Sequence, residues 1–218
     1  MTQIPRIALG LATLLAGLCP LVANSVHEDA GGAGEQILAA AADRSVSEQV
    51  SIALFLIGFA AMIVVLAVLA VAIARRTPVL AGVVVVAGAA ALAIELGEVK
   101  TGLALRDAAD VLDPGTAEAL VAMEDAGFAV YGFLLSLALG AAGLGLLWDR
   151  LVPSWLGWWA TVMGGLGVLT AAVGIIVPPY YVPLPFVLLL VWLVALGLTA
   201  ARRPVFESRP TQSDLVAQ

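Results

Sequence analysis

A single cysteine, Cys19, and a single histidine, His27, remove much chemistry at the outset. One thiol forms no intramolecular disulfide and no Cys-x-x-Cys pair. One imidazole makes neither the two-histidine zinc motif of a metalloprotease nor a bis-histidine haem site. The sequence has no Gly-x-Ser-x-Gly elbow and no phosphate-binding Walker loop. A serine–histidine triad would have to recruit His27 from a loop, where His27-Glu28-Asp29 reads as a solvated cluster rather than a metal site. Charge is scarce too, at 12 % of the chain against about a quarter in soluble domains. The aromatic residues stand on no basic stripe, so nucleic acid is not an expected partner. No catalytic residue, cofactor or metal is expected, and the protein is read as non-enzymatic.

What the chain has in abundance is apolar surface. Of its 218 residues, 62 % are hydrophobic, and the mean hydropathy is +1.06. A soluble fold of this size has too little interior to bury that much, so the bilayer must take the rest. Crossing about 30 Å of hydrocarbon as a helix takes roughly 20 apolar residues. Six stretches meet or approach this, at about 7–23, 51–74, 79–105, 120–148, 155–177 and 184–201. Backbone groups in lipid need partners within their own segment, so each is expected to be a helix; the alternation of barrel strands is absent. The expected fold is all-α, a single polytopic bundle of six transmembrane helices over 1–203. A polar, disordered tail is expected over 204–218.

The first stretch has two readings. Arg6, an apolar run and the small residues Ala23-Asn24-Ser25 fit a secretory signal. Seventeen uncharged residues are long for a signal core, and Leu18 spoils a lipoprotein site before Cys19. An uncleaved first helix is the expectation; a cleaved signal is the alternative.

Basic residues give the bundle a direction. With the N-terminus inside, Arg6, Arg75, Arg76, Arg150, Arg202, Arg203 and Arg209 are cytoplasmic, and only Arg44, Lys100 and Arg106 are outside. This is the positive-inside pattern. Of the acidic residues, only Asp149, Glu207 and Asp214 fall inside. Both termini are therefore expected in the cytoplasm, with the protein in a bacterial cytoplasmic membrane. Trp148, Trp155, Trp158 and Trp159 surround the inner turn, and Tyr180 and Tyr181 occupy an outer one, as an interfacial aromatic belt would.

Two outer loops exceed a turn. The segment 24–50 contains Gly31-Gly32 and then EQILAAAADRSVSEQ, which suggests a short interfacial helix. In the segment 100–125, Asp113-Pro114-Gly115 is a turn signal, and Thr116 is placed to cap the helix that follows. The third and fourth spans are thus expected to project outward as a hairpin. No internal repeat indicates an inverted-repeat transporter.

Ionisable groups at depth are the candidates for activity, since burying them is costly. Glu95 is the one such residue well inside an apolar run, and Glu98 lies near the outer interface. Gly88, Ala91, Glu95, Glu98 and Gly102 recur at steps of three and four and so share one helix face. Its small residues should turn it into the bundle. The functional reading is a proton- or cation-responsive site, or a lining for a polar ligand. The structural reading has Glu95 bonded to Thr170 or Tyr131, and Glu98 paired with Lys100 or Arg106. Glu124 and Asp125, taken as the start of the fourth span, are weaker candidates because a helix N-terminus favours acids by its dipole alone. No spanning run contains an aspartate, which excludes an aspartyl intramembrane protease. Gly140, Gly143, Gly145, Gly164, Gly165 and Gly167 serve close packing within the chain, or a homodimer face.

The segment RLVPSWLGWWATVMGGLGVL, residues 150–169, resembles a family of small bacterial six-helix membrane proteins of unknown function. Pro153, Trp155, Gly157 and Trp158 carry the likeness, through a turn of the form basic-x-x-Pro-x-Trp-Leu-Gly-Trp before the fifth helix. The resemblance would span residues 5–203 and implies a glutamate near the outer part of the third helix, matched by Glu95 or Glu98. It implies no substrate, cofactor or catalytic residue. The large acidic outer hairpin departs from that pattern. The sequence thus favours a membrane protein acting by association with a partner protein, a second copy or lipid. The alternative is a small ion-coupled carrier using Glu95.

Overall fold

A computed structural model describes residues 6–26, 33–43, 46–177 and 182–202. His27-Glu28-Asp29, Gly31-Gly32, Arg44, Tyr180, Tyr181, Arg203, Arg209 and the tail 204–218 lie outside the described residues. Those described form seven helices and no strand. They are α1 (Arg6–Val26), α2 (Gly34–Asp43), α3 (Val46–Ile73), α4 (Pro78–Asp107), α5 (Pro114–Trp148), α6 (Ser154–Ile176) and α7 (Leu184–Arg202). All but the short α2 are long and apolar enough to cross a membrane. The protein is an all-α, multi-pass membrane protein, and its outward side chains, such as Val71, Val86, Leu169 and Ile176, meet lipid.

The spanning helices pack in chain order as a ring. Each of α3 to α6 lies against the next, and α7 returns to α1, which also packs on α3. Helix α5 is drawn inward, touching α3 and α7 as well as its ring neighbours α4 and α6. Its Leu135, Leu139 and Leu146 are fully buried beside Met62, Leu69 and Ile73 of α3 and Leu189, Trp192 and Leu193 of α7. Small residues permit this density. At the α5–α6 crossing, Gly140 and Gly164 meet backbone to backbone, and a Cβ on Gly164 would stand 2.4 Å from the Gly140 Cα. Trp192, deep in α7, finds its polar partner in the first turn of α6, donating its indole N–H to the Leu156 carbonyl at 2.8 Å. The Ser51 hydroxyl of α3 likewise donates to the Ala23 carbonyl of α1 at 3.1 Å.

The two ends of the bundle differ in charge and construction. At one, Arg75, Arg76 and Arg150 lie in tight turns. Helix α5 stops there with its last carbonyls covered: the Arg150 N–H donates to Leu147 and the Leu151 N–H to Leu146, at 3.2 and 3.0 Å. This closing motif needs a left-handed residue, and Arg150 takes that role at φ 53°. Pro153 then ends the turn and α6 begins, with Trp148, Trp155 and Trp158 exposed around it.

At the other end the helices are longer than a hydrocarbon core requires. Helix α4 has 30 residues and α5 has 35, about 45 and 52 Å at the usual rise per residue. Between their tips lies α2, and a second small core forms from Ile37 and Ala41 of α2, Leu105 of α4 and Ala117 of α5. The first N–H of α2, on Gly34, donates to Glu118 Oε1 of α5 at 2.8 Å. The cap of α5 differs from the expected one. Asp113, not Thr116, caps the helix: its carboxylate accepts from the Thr116 N–H at 3.0 Å and from the Thr116 hydroxyl at 2.5 Å. Pro114, with its fixed φ and no N–H to satisfy, occupies the first helical turn. The residue before it is therefore the one placed to cap. Helix α5 consequently begins at Pro114, ahead of the apolar run from which its start near 120 is expected. This is the acidic end of the bundle: Glu35, Asp43, Asp107, Asp110, Asp113, Glu118 and Asp125 are all exposed there.

Candidate functional site

Helix α4 lies between α3 and α5, and the face expected to turn inward divides between these neighbours. Gly88 packs against Leu66 of α3, where a Cβ would stand 2.6 Å from the leucine side chain. Ala91 is fully buried. One turn on, Glu95 is 7 % exposed, which puts a carboxyl group in the seam between helices. Glu98, one further turn on, is half-buried and leans on α5 at Gly127, where an added Cβ would overlap its Oε1. Gly102, last in the series, has open space beside it. A face spaced at three and four drifts around a helix of 3.6 residues per turn, so the row begins toward α3 and ends toward α5.

The two glutamates come together. Their carboxyl groups lie within hydrogen-bonding reach of each other, Glu124 of α5 faces both, and Asp125 lies near Glu98. Glu95 Oε2 and Glu98 Oε1 are buried and meet no hydrogen-bond partner among the described residues. The partners weighed for a structural role are engaged otherwise. Thr170 donates its hydroxyl to the Gly167 carbonyl of its own helix at 3.2 Å. Tyr131 sits among the rings of Phe59, Phe128 and Phe186. Arg106 turns to Asp107, with which it makes an ion pair at 3.0 Å.

Glu124 and Asp125 are not at a helix start. Because α5 begins at Pro114, they lie nearly three turns inside it, beyond the reach of the helix dipole, which fades after the first turn. The dipole explanation therefore fails for them. Glu124 is half-buried, while Asp125 is exposed. Chemically the arrangement is a buried dicarboxyl site with a third carboxyl beside it. Among the described residues no group of three His, Cys, Asp or Glu side chains is arranged to hold a metal ion.

Gly127 is the member that sequence reasoning overlooks. Its signal was available, since it falls three residues after Glu124 and so shares that residue's face. Ser136 is a second oversight: fully buried on α5, its hydroxyl has no partner among the described residues and fills the notch left by Gly167 of α6. Trp192 is a third, a tryptophan used for bundle packing rather than for the interface. No family model, no curated protein and no solved structure matches the chain.

Proposed function

We propose that this protein acts by association rather than by catalysis, presenting its acidic end to a protein partner with a basic face. The observation that carries this is the second core of Ile37, Ala41, Leu105 and Ala117. Helices α4 and α5 continue past the bilayer and, with α2, build a packed platform that spanning the membrane does not require. Its outer surface presents exposed carboxylates together with the apolar Val111 and Met123, 78 % and 57 % exposed. A predominantly acidic rim around apolar anchors is a surface suited to steering and holding a complementary partner. A second copy of the chain or a lipid headgroup are the other occupants to weigh, and the excess of carboxylates disfavours self-pairing and anionic lipid alike.

The membrane is read as a bacterial cytoplasmic one, supported by the resemblance of the 150–169 segment to small bacterial six-helix proteins. Both termini are read as cytoplasmic, supported by the arginines gathered at the opposite end. The test is gentle isolation in native lipid after cross-linking in the membrane. A copurifying protein is expected, lost when Asp107, Asp110 and Glu118 are changed to their amides. Recovery of a lone monomer, with or without those carboxylates, would count decisively against association.

One observation favours a second reading, that of a small proton-coupled carrier. A carboxyl as buried as Glu95, unpartnered at Oε2 among the described residues, is a common element of proton relays in membrane helices. Uptake of candidate solutes into vesicles driven by a pH gradient, abolished by Glu95→Gln, would favour this reading over association.

A further inference from the structure

The seam between α4 and α5 leaves a hydrogen-bonding deficit. A buried polar atom without a partner costs the free energy of its lost hydration, yet Glu95 Oε2 and Glu98 Oε1 both lie buried with none among the described residues. The packing around them is close. Gly127 brings the backbone of α5 against the Glu98 carboxyl, and Ala91 and Leu92 seal the turn below Glu95 at 0 % and 5 % exposure.

Nor, among the described residues, does the surrounding charge supply a counter-ion. The elements packed against α4 are α2, α3 and α5. Their charged groups are Glu35 and Asp43 on α2, Glu48 on α3, and Glu118, Glu124 and Asp125 on α5. None of these helices contains a lysine, arginine or histidine. On α4 itself Lys100 is exposed and Arg106 is committed to Asp107. Two bare carboxylates in this setting would repel each other and be opposed by the charged groups described on all three neighbouring helices. The pair nevertheless sits within hydrogen-bonding reach.

We propose that Glu95 and Glu98 form one proton-binding site with Gly127 as its wall, and that the bound proton is the missing donor that lets the α4–α5 seam close. The proton arrives from solvent at the acidic end, bonds to an oxygen of one carboxyl and is donated as an O–H to the other. Its departure to water leaves two like charges on adjacent turns of one helix, facing Glu124 on the next. The response is a loosening of α4 from α5 at the base of the platform. A metal cation fits less well, for want of a third ligand in a coordinating arrangement among the described residues. The site stands whether or not the platform meets a partner, and whether or not any solute crosses the bundle.

The test uses the full chain in lipid nanodiscs, with thermal unfolding followed from about pH 5 to about pH 9 in choline buffer. For the unaltered protein the midpoint falls by roughly 3 °C or more toward the alkaline end. In Glu95→Gln it does not, because an amide N–H donates to Glu98 at every pH. Glu98→Gln behaves in the same way and serves should the first variant fail to fold. Infrared spectra of the folded proteins give a second readout: the carbonyl stretch of a protonated carboxyl is present in the unaltered protein and reduced by one carboxyl in either variant. A flat midpoint in the unaltered protein, or a full alkaline fall and undiminished band in both variants, overturns the proposal. Recovery of the alkaline midpoint on adding sodium or potassium alone overturns the proton in favour of a metal cation.

Discussion

Ser136 shows how a membrane interior handles a hydroxyl with nothing to bind. It is fully buried, its oxygen is unpartnered among the described residues, and the space it occupies exists because residue 167 is glycine. Two substitutions separate packing from hydrogen bonding. Ser136→Ala removes an unsatisfied polar atom and keeps nearly the same shape, so stability should rise by about 1 kcal/mol. Gly167→Ala places a methyl 2.3 Å from the Ser136 oxygen, and the strain should cost about 1–3 kcal/mol. Unfolding in mixed micelles, read by the tryptophan fluorescence, checks both signs. Were Ser136→Ala destabilising instead, the hydroxyl would have a partner. Gly167 was legible as a packing glycine, but its pairing with Ser136 was not, because a serine and a glycine 31 positions apart carry no sign that their helices cross there.

At the scale of the element, the start of α5 couples helix formation to pH. The Asp113 carboxyl is exposed and is held below the usual carboxylate range, first by the Thr116 hydroxyl and then by the Thr116 N–H. A carboxyl depressed by folding stabilises the helix above its ordinary titration range. That contribution disappears as acid titrates it through its lowered folded value. The first turn of α5 should therefore fray as the pH is lowered below the ordinary aspartate range, the reverse of the alkaline loosening expected at Glu95 and Glu98. Amide hydrogen exchange at Ala117 and Glu118 measures this, and Asp113→Asn should weaken the acid dependence. The turn itself was legible from Asp-Pro-Gly. The choice of cap was not, because Asp113 and Thr116 are both good capping types and only the position of Pro114 decides between them. The length of α5 was hidden for a related reason, since hydropathy marks where a helix leaves lipid and is silent about how far it continues in water.

For the whole molecule, closure of the ring depends on α1. Helix α1 packs on both α3 and α7, burying Leu9, Ala16 and Ala23, and it approaches α7 closely at Gly17. A Cβ there would stand 2.6 Å from the Leu190 carbonyl and 2.8 Å from Val194. Gly17→Leu should pry α1 from α7 and cost about 3 kcal/mol or more, seen as a lowered thermal midpoint and faster proteolysis in detergent. Equal stability would mean that α1 contributes little to the bundle. The six long apolar helices and the all-α class were legible from hydropathy alone, because lipid imposes a single rule on every segment that crosses it. The ring order was not, since outward and inward faces of these helices are both apolar and carry little periodic contrast. The candidate site was half legible: the spacing of Glu95 and Glu98 puts them on one face, but the glycine that receives Glu98 lies on another helix.

The projection of α4 and α5 has an electrostatic consequence. From the start of the uncharged run at Ala126 back to Pro114 is about 18 Å of helix, whereas fields in physiological salt decay over about 8 Å. About 6 Å of that length lies in the headgroup layer, so the carboxylates at the tips stand more than one screening length above the headgroups. The potential they create is only weakly coupled to the lipid charge below, and a soluble molecule would sense it before sensing the membrane.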